Sequence, residues 1–281
     1  IIIAVGVYVY SKTGNESVNE SEKSETETQQ KDLLQETQNN EEEQSETQKI
    51  KPETSEPTLE EGLILYKDFE DAEKTTQGKK GKAALFDGTN HIDLTDNLNK
   101  VGTLQTGTIA LYFKFQSILD KQTLMPILYL GMDDENDKDD LYILEIGHSG
   151  GEGGEGSGNK PDPTNKKLYT TWTKGEMEPY LCFDNNQNLQ EDKWYHFALV
   201  VSENKNTGYI NGEEITNRKY NFGTQTDTHF LNSVTNQEVL WLGKGRSSYM
   251  ISPKFVNFKG AIDEIKIFNK ALTKQEIKQL L

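Results

Sequence analysis

The chain has 281 residues, 33% of them hydrophobic and 27% charged, and a formal net charge of −16 from 46 Asp+Glu against 30 Lys+Arg. That acidic balance excludes a nucleic-acid binder, which needs a basic face to neutralise phosphates. The single cysteine, Cys182, excludes an intramolecular disulfide and a Cys-cluster zinc site.

Residues Ile1–Tyr10 are uncharged and mostly apolar. They are too few to cross a bilayer, which takes about 20 residues. The run ends in Tyr8 and Tyr10 ahead of Ser11-Lys12, the pattern of the outer end of a membrane helix with an interfacial aromatic belt. No A-x-A cleavage site or lipoprotein cysteine follows, so the expectation is a retained membrane anchor with the rest of the chain extracytoplasmic, at the cell surface. Residues 11–61 hold 15 acidic and 5 basic residues, so they carry −10, with Leu33, Leu34 and Ile50 among their few large apolar side chains. Such a segment buries too little apolar surface to offset its ordering entropy, and it reads as a disordered, self-repelling acidic linker.

From Gly62 onward the pattern becomes one of short strands. Candidates are 62–66, 83–86, 91–94, 108–115, 127–130, 141–146, 168–172, 180–183, 195–201, 207–210, 239–242 and 261–268. Several alternate apolar with polar residues, as half-buried antiparallel strands do. Asp87-Gly88, Asn211-Gly212 and Gly243-Lys244-Gly245 are turn signals between them. Only Thr273–Leu281 reads as helix, with Thr273 as N-cap and Glu276 as its capping-box partner. The expectation is one all-β domain over 62–281, an antiparallel two-sheet sandwich closed by a short C-terminal helix. Trp194, Phe197 and Leu199 are assigned to its core, and Tyr195, His196 and Ala198 to the other side of that strand. His196 reads as a hydrogen-bonded sheet histidine, and Trp241 and Cys182 as core residues.

The motifs 82–88 (KAALFDG), 107–114 (GTIALYFK), 192–198 (DKWYHFA), 209–212 (YING), 242–243 (LG) and 258–273 (FKGAIDEIKIFNKALT) occur in this order. Together they resemble LamG-like jelly rolls of the concanavalin A-like lectin/glucanase superfamily. That fold hosts lectins, adhesion modules and hydrolases, so the resemblance implies a jelly roll more narrowly than it implies a function. Glucanases of the superfamily carry a Glu-x-Asp-x-x-Glu strand, which sets two carboxylates at glycosidase separation. Glu70-Asp71-Ala72-Glu73 and Asp263-Glu264 fail that spacing, and in 139–145 Glu145 stands alone on an apolar strand. The chain therefore reads as a non-enzyme. The resemblance further implies a structural calcium joining the two ends of the domain. Its matching positions are Asp263, Asp87, Gly88, Glu70 and Asp71, since hard oxygen ligands suit this ion.

The acidic run 133–140 lacks the glycine and terminal glutamate of a calcium loop and reads as a solvated hairpin turn. Residues 147–158 contain seven glycines in twelve residues, a flexible insertion at a sandwich rim. Glycan recognition uses aromatics that stack on sugar rings and polar groups that meet hydroxyls. The candidates for it are Trp172, Tyr169 and Tyr180 on strands, Asp184, Asn185 and Asn186 in the following turn, and Arg246 and Tyr249 on another rim loop. The reading is a membrane-anchored, extracytoplasmic, non-catalytic module that binds carbohydrate. The alternatives are a cell-surface domain that binds a protein as an adhesin or scaffold, and a glycoside hydrolase with a non-standard site.

Overall fold

The computed structural model describes residues 59–116, 124–135, 140–148, 166–175, 178–246 and 254–281. The expected anchor, all but the last residues of the expected acidic linker, most of the glycine-rich insertion and Tyr249 lie outside these ranges. In chain order the first strands are β1 (Leu63–Lys67), β2 (Thr75–Gln77), β3 (Lys82–Asp87) and β4 (Ile92–Asp93), followed by the single helical turn α1 (Leu98–Val101). Then come β5 (Gly107–Phe115), β6 (Leu124–Gly131), β7 (Leu141–His148), β8 (Lys166–Lys174) and β9 (Glu178–Asp184). The chain continues through β10 (Tyr195–Val201), β11 (Asn206–Ile210), β12 (Glu213–Glu214) and β13 (Lys219–Phe222). It ends with β14 (Val239–Leu242), β15 (Lys244–Arg246), β16 (Phe255–Asn257), β17 (Lys259–Phe268) and α2 (Lys274–Gln279).

These strands form the two antiparallel sheets expected. The first runs β12-β11-β10-β5-β17-β3-β2, with β1 also on β17, and the second runs β13-β9-β8-β7-β6-β14-β4. β15 and β16 pair only with each other. The strands missing from the sequence reading, β2, β13, β15 and β16, are three or four residues long, too short to carry an alternation of their own. The Asn211-Gly212 turn behaves as read: both residues have positive φ (51° and 78°), and Ile210 faces Glu213 across a two-residue hairpin.

One core lies between the sheets. Ile109, Leu111, Phe113 and Phe115 of the first sheet meet Leu128, Leu130, Tyr142, Leu144, Trp172 and Phe183 of the second, all at most 2% exposed. On β10 the odd positions face this core, so Tyr195 joins Phe197 and Leu199 and stacks on Phe113 at 5.6 Å. Trp194 is half-buried beneath Lys114 instead. The expected assignment of these two aromatics is thus exchanged, because strand parity decides the face. The outer side of the first sheet is covered by α2. Ala198, Val200, Tyr209 and Phe268 pack against Leu272, Ile277 and Leu280. The capping box holds as expected: Glu276 N–H donates to Thr273 Oγ1 at 3.3 Å, and Thr273 N–H donates to Glu276 Oε2 at 2.7 Å.

His196 sits on this outer side at 2% exposure, its ring 4.8 Å from that of Tyr112. Its backbone N–H donates to Asn211 Oδ1, whereas its Nδ1 has no partner among the described residues. Burial, with Lys266 and Lys80 nearby, pushes its pKa from 6.5 down to about 4. The folded state therefore keeps this ring neutral over a range where the unfolded chain takes up a proton. The penalty is absent above the unfolded value and grows as pH falls through it, reaching about 3 kcal/mol near pH 4. Urea unfolding is expected to show stability falling between pH 6.5 and 4, with His196→Gln flattening that slope; an unchanged slope would contradict the assignment.

Candidate functional site

The core takes one set of alternate side chains from the second sheet. The other set forms its outer face, and cross-strand register orders it into rows. One row runs Trp241–Tyr129–Ile143–Thr171–Cys182 from β14 to β9. A second runs Glu145–Tyr169–Asp184 and ends at Lys219 on β13. Leu141 and Thr173 form a third pair.

Chemistry changes along this face. At one side Trp241 stacks on Tyr129 at 5.8 Å and meets Phe255 edge-on at 5.2 Å. The β15–β16 hairpin lies over these rings: Lys244 Nζ is 3.9 Å from the Trp241 centroid, and a Cβ at Gly245 would fall 2.8 Å from Tyr129. In the middle, Thr171 Oγ1 donates to Cys182 Sγ at 3.3 Å. At the other side Asp184 pairs with Lys167 at 3.3 Å and accepts Asn186 N–H at 2.6 Å. Glu145 and Arg246 are each 1% exposed. Arg246 Nη1 donates to the Asp134 carbonyl at 3.3 Å, but its Nε and Nη2, like Thr173 Oγ1, have no hydrogen-bond partner among the described residues.

The expected binding residues separate. Tyr169 and Asp184 share the outer face, and Arg246 lies on the hairpin above the same sheet. Trp172, three positions from Tyr169 on the same strand, necessarily points the other way. It is 1% exposed in the core with its ring 4.4 Å from Tyr142, so it is not the exposed stacking platform the sequence reading made of it. Tyr180 leaves the face at a bulge and stacks on His229. Asn185 is buried, its Oδ1 accepting Leu168 N–H, and Asn186 is an exposed turn residue with φ 47°. Sequence reasoning passed over Thr171 and Glu145, while Trp241, read as a core residue, is indeed buried at 3% exposure in an apolar cluster with Tyr129, Leu141, Ile143 and Val239. The signal that finds Thr171 and Glu145 is parity: each is an even number of positions from, or registers with, a residue already on the outer face. Trp172→Ala is expected to cost about 3–5 kcal/mol in denaturant unfolding as a core deletion. Loss of ligand binding at unchanged stability would return Trp172 to the surface.

The carboxylates expected at a calcium are engaged otherwise. Asp263 Oδ2 accepts Lys79 and Lys80 N–H at 2.7 and 3.0 Å, and Glu70 Oε1 accepts Lys82 N–H at 2.8 Å on the same turn. Asp87 pairs with Lys74 at 2.7 Å and accepts from Thr89, while Asp71 is exposed. Among the described residues no three His, Cys, Asp or Glu come together as a metal site. The turn supplies N–H donors and lysines, where calcium requires six to eight oxygens. This donor set does not fit the ion, even though buried Asp263 Oδ1 lacks a partner among the described residues. EDTA is expected to leave the melting temperature unchanged; a drop of several degrees would put a cation on Asp263.

Residues 86–278 match the concanavalin A-like lectin/glucanase superfamily, and the chain belongs to it. Comparison with curated proteins gives no match. Among solved structures, the CBM40 of Ruminococcus gnavus IT-sialidase bound to α2,3-sialyllactose is similar over 78% of this chain and 99% of its own, with a TM-score of 0.53 at 15% identity. The same module bound to α2,6-sialyllactose matches over the same shares, with a TM-score of 0.52 at 16% identity. The leech intramolecular trans-sialidase complexed with 2,7-anhydro-Neu5Ac matches 78% of this chain but 28% of its own, with a TM-score of 0.53 at 16% identity. At these identities the likeness concerns the fold.

Proposed function

We propose that the chain is a non-catalytic carbohydrate-binding module that takes a carboxylate-bearing glycan on the outer face of its second sheet. The observation that carries this reading is the buried guanidinium of Arg246, with Nε and Nη2 unpartnered among the described residues, above a face that carries Trp241, Tyr129, Thr171 and Thr173. A buried donor without an acceptor is costly, and a planar guanidinium matches a carboxylate bidentately. The likeness to a module crystallised with sialyllactose, spanning nearly all of that module, supports the same ligand class. The absence of a Glu-x-Asp-x-x-Glu strand supports binding without hydrolysis. The apolar run at Ile1–Tyr10 and the −10 stretch after it support display outside the membrane on an acidic spacer.

Calorimetric titration of the full chain with α2,3-sialyllactose and with lactose tests the reading. Sialyllactose is expected to bind the more tightly, and Arg246→Lys, which keeps the charge but loses the fork, to weaken it roughly tenfold. Thr171→Val, close in volume, is expected to weaken both sugars without lowering the melting temperature. No binding of either sugar, with a protein partner captured at the cell surface, would favour the adhesin reading.

A further inference from the structure

A cleft of about 400 Å³ shares no lining residue with the rows of the second sheet described above. Gln105 and Thr106 lead into β5 there, Glu203 comes from the turn between β10 and β11, and Thr228, His229 and Asn232 come from the segment before β14. We propose that this cleft is a second binding site, for one or two uncharged sugar rings.

Its chemistry selects the ligand class. Two side-chain amides, two threonine hydroxyls and one carboxylate line it, with Ser233 at its margin. Gln105, Thr106, Glu203, Thr228 and Asn232 direct no side-chain hydrogen bond to another described residue. A set holding donors, acceptors and groups that are both is the complement of adjacent sugar hydroxyls, each of which donates and accepts. No lysine or arginine lines the cleft, so an anionic sugar would meet Glu203 without a counter-charge. The scarcity of apolar lining disfavours a lipid or an aromatic ligand. The volume lies at the small end of the roughly 300–1,000 Å³ range of ligand pockets.

The walls are fixed before any ligand arrives. Asn232 N–H donates to the Leu104 carbonyl at 3.0 Å, tying two walls together. Gln237 Nε2 lies 2.8, 3.0 and 2.8 Å from the carbonyl oxygens of Gly102, Leu231 and Val234, and its two N–H groups tie the segment before β14 to the turn after α1. Phe230, fully buried, fills the space beside Gly107, where a Cβ would fall 2.8 Å from its ring. On the far side Asn206 Nδ2 donates to the carbonyls of Thr224 and Asp227 at 2.9 and 2.8 Å. His229 is held in a stack on Tyr180, centroids 4.7 Å apart, and its Nδ1 is buried with no partner among the described residues. These bonds fix the backbone around the cleft, so its shape is set before a ligand enters.

Amide nitrogen–proton spectra of the full chain, titrated with lactose, maltotriose and α2,3-sialyllactose, test the proposal. The uncharged sugars are expected to shift Gln105, Thr106 and residues 228–233 in a saturable manner. The double substitution Gln105→Ala, Asn232→Ala, at two exposed positions, is expected to weaken that response roughly tenfold and leave distant amides unmoved. No shift at the cleft with either uncharged sugar, or shifts that survive the double substitution, would overturn it. The reading of the second sheet stands or falls separately, on whether sialyllactose shifts Thr171 and Cys182.

Discussion

The architecture depends on one bulge in β17. Residues 259–262 of that strand pair with β3, and residues 265–268 pair with β1 on the same edge. On its other edge β17 pairs with β5 throughout, with the register shifting between Asp263 and Lys266. The strand changes neighbours at Asp263-Glu264, where Glu264 takes φ 51°. A non-glycine residue in that region costs free energy, and the surroundings have to hold it. Tyr66 Oη–H donates to Glu264 Oε1 at 2.7 Å, and Lys266 Nζ donates to Oε2 at 2.6 Å. Asp263, fully buried, accepts two backbone N–H groups of the β2–β3 turn. Two adjacent acidic residues thereby fix the first strand, the β2–β3 hairpin and the last strand against one another. Backbone amides, a tyrosine hydroxyl and a lysine engage these two carboxylates.

The second sheet is buried on both of its faces. Its inner face is committed to the core through Tyr142, Leu144, Trp172 and Phe183. Its outer face is equally removed from water, yet it carries Thr171, Thr173, Glu145, Asp184 and the nearby Arg246. Burial of polar groups without full satisfaction opposes folding. Thr173 Oγ1 and Arg246 Nε and Nη2 are the atoms there without a hydrogen-bond partner among the described residues. The first sheet offers a contrast, since its outer side is closed by α2 through apolar contacts and a satisfied capping box. The cleft is a third kind of surface, open and polar, with rigid walls and side chains left to solvent.

Much of the fold was legible in the residues because its determinants are local. Alternation of period two, the Asn211-Gly212 dipeptide and the Thr273/Glu276 pair act over a few positions, and each appears where the sequence placed it. The failures share a cause. Trp172 and Tyr169 read together because both are aromatic and lie on one strand, whereas a strand sends positions three apart to opposite faces. Tyr195 and Trp194 were exchanged for the same reason. β13, β15 and β16 are three or four residues long, and they become strands only through the partners they pair with.

By itself, then, the sequence determined the class of structure: two antiparallel sheets, their turns, a capped terminal helix and an acidic stretch ahead of the domain. Tertiary structure decided which residues could act together. It put Arg246 over the second sheet, gave Asp263 amides in place of oxygens, and gathered Gln105, Glu203 and Asn232 around one cleft. The physical reason is range. Propensity and patterning act between near neighbours, whereas a site is assembled from groups such as Tyr66 and Glu264, 198 positions apart, that only the packed sheets bring within a hydrogen bond.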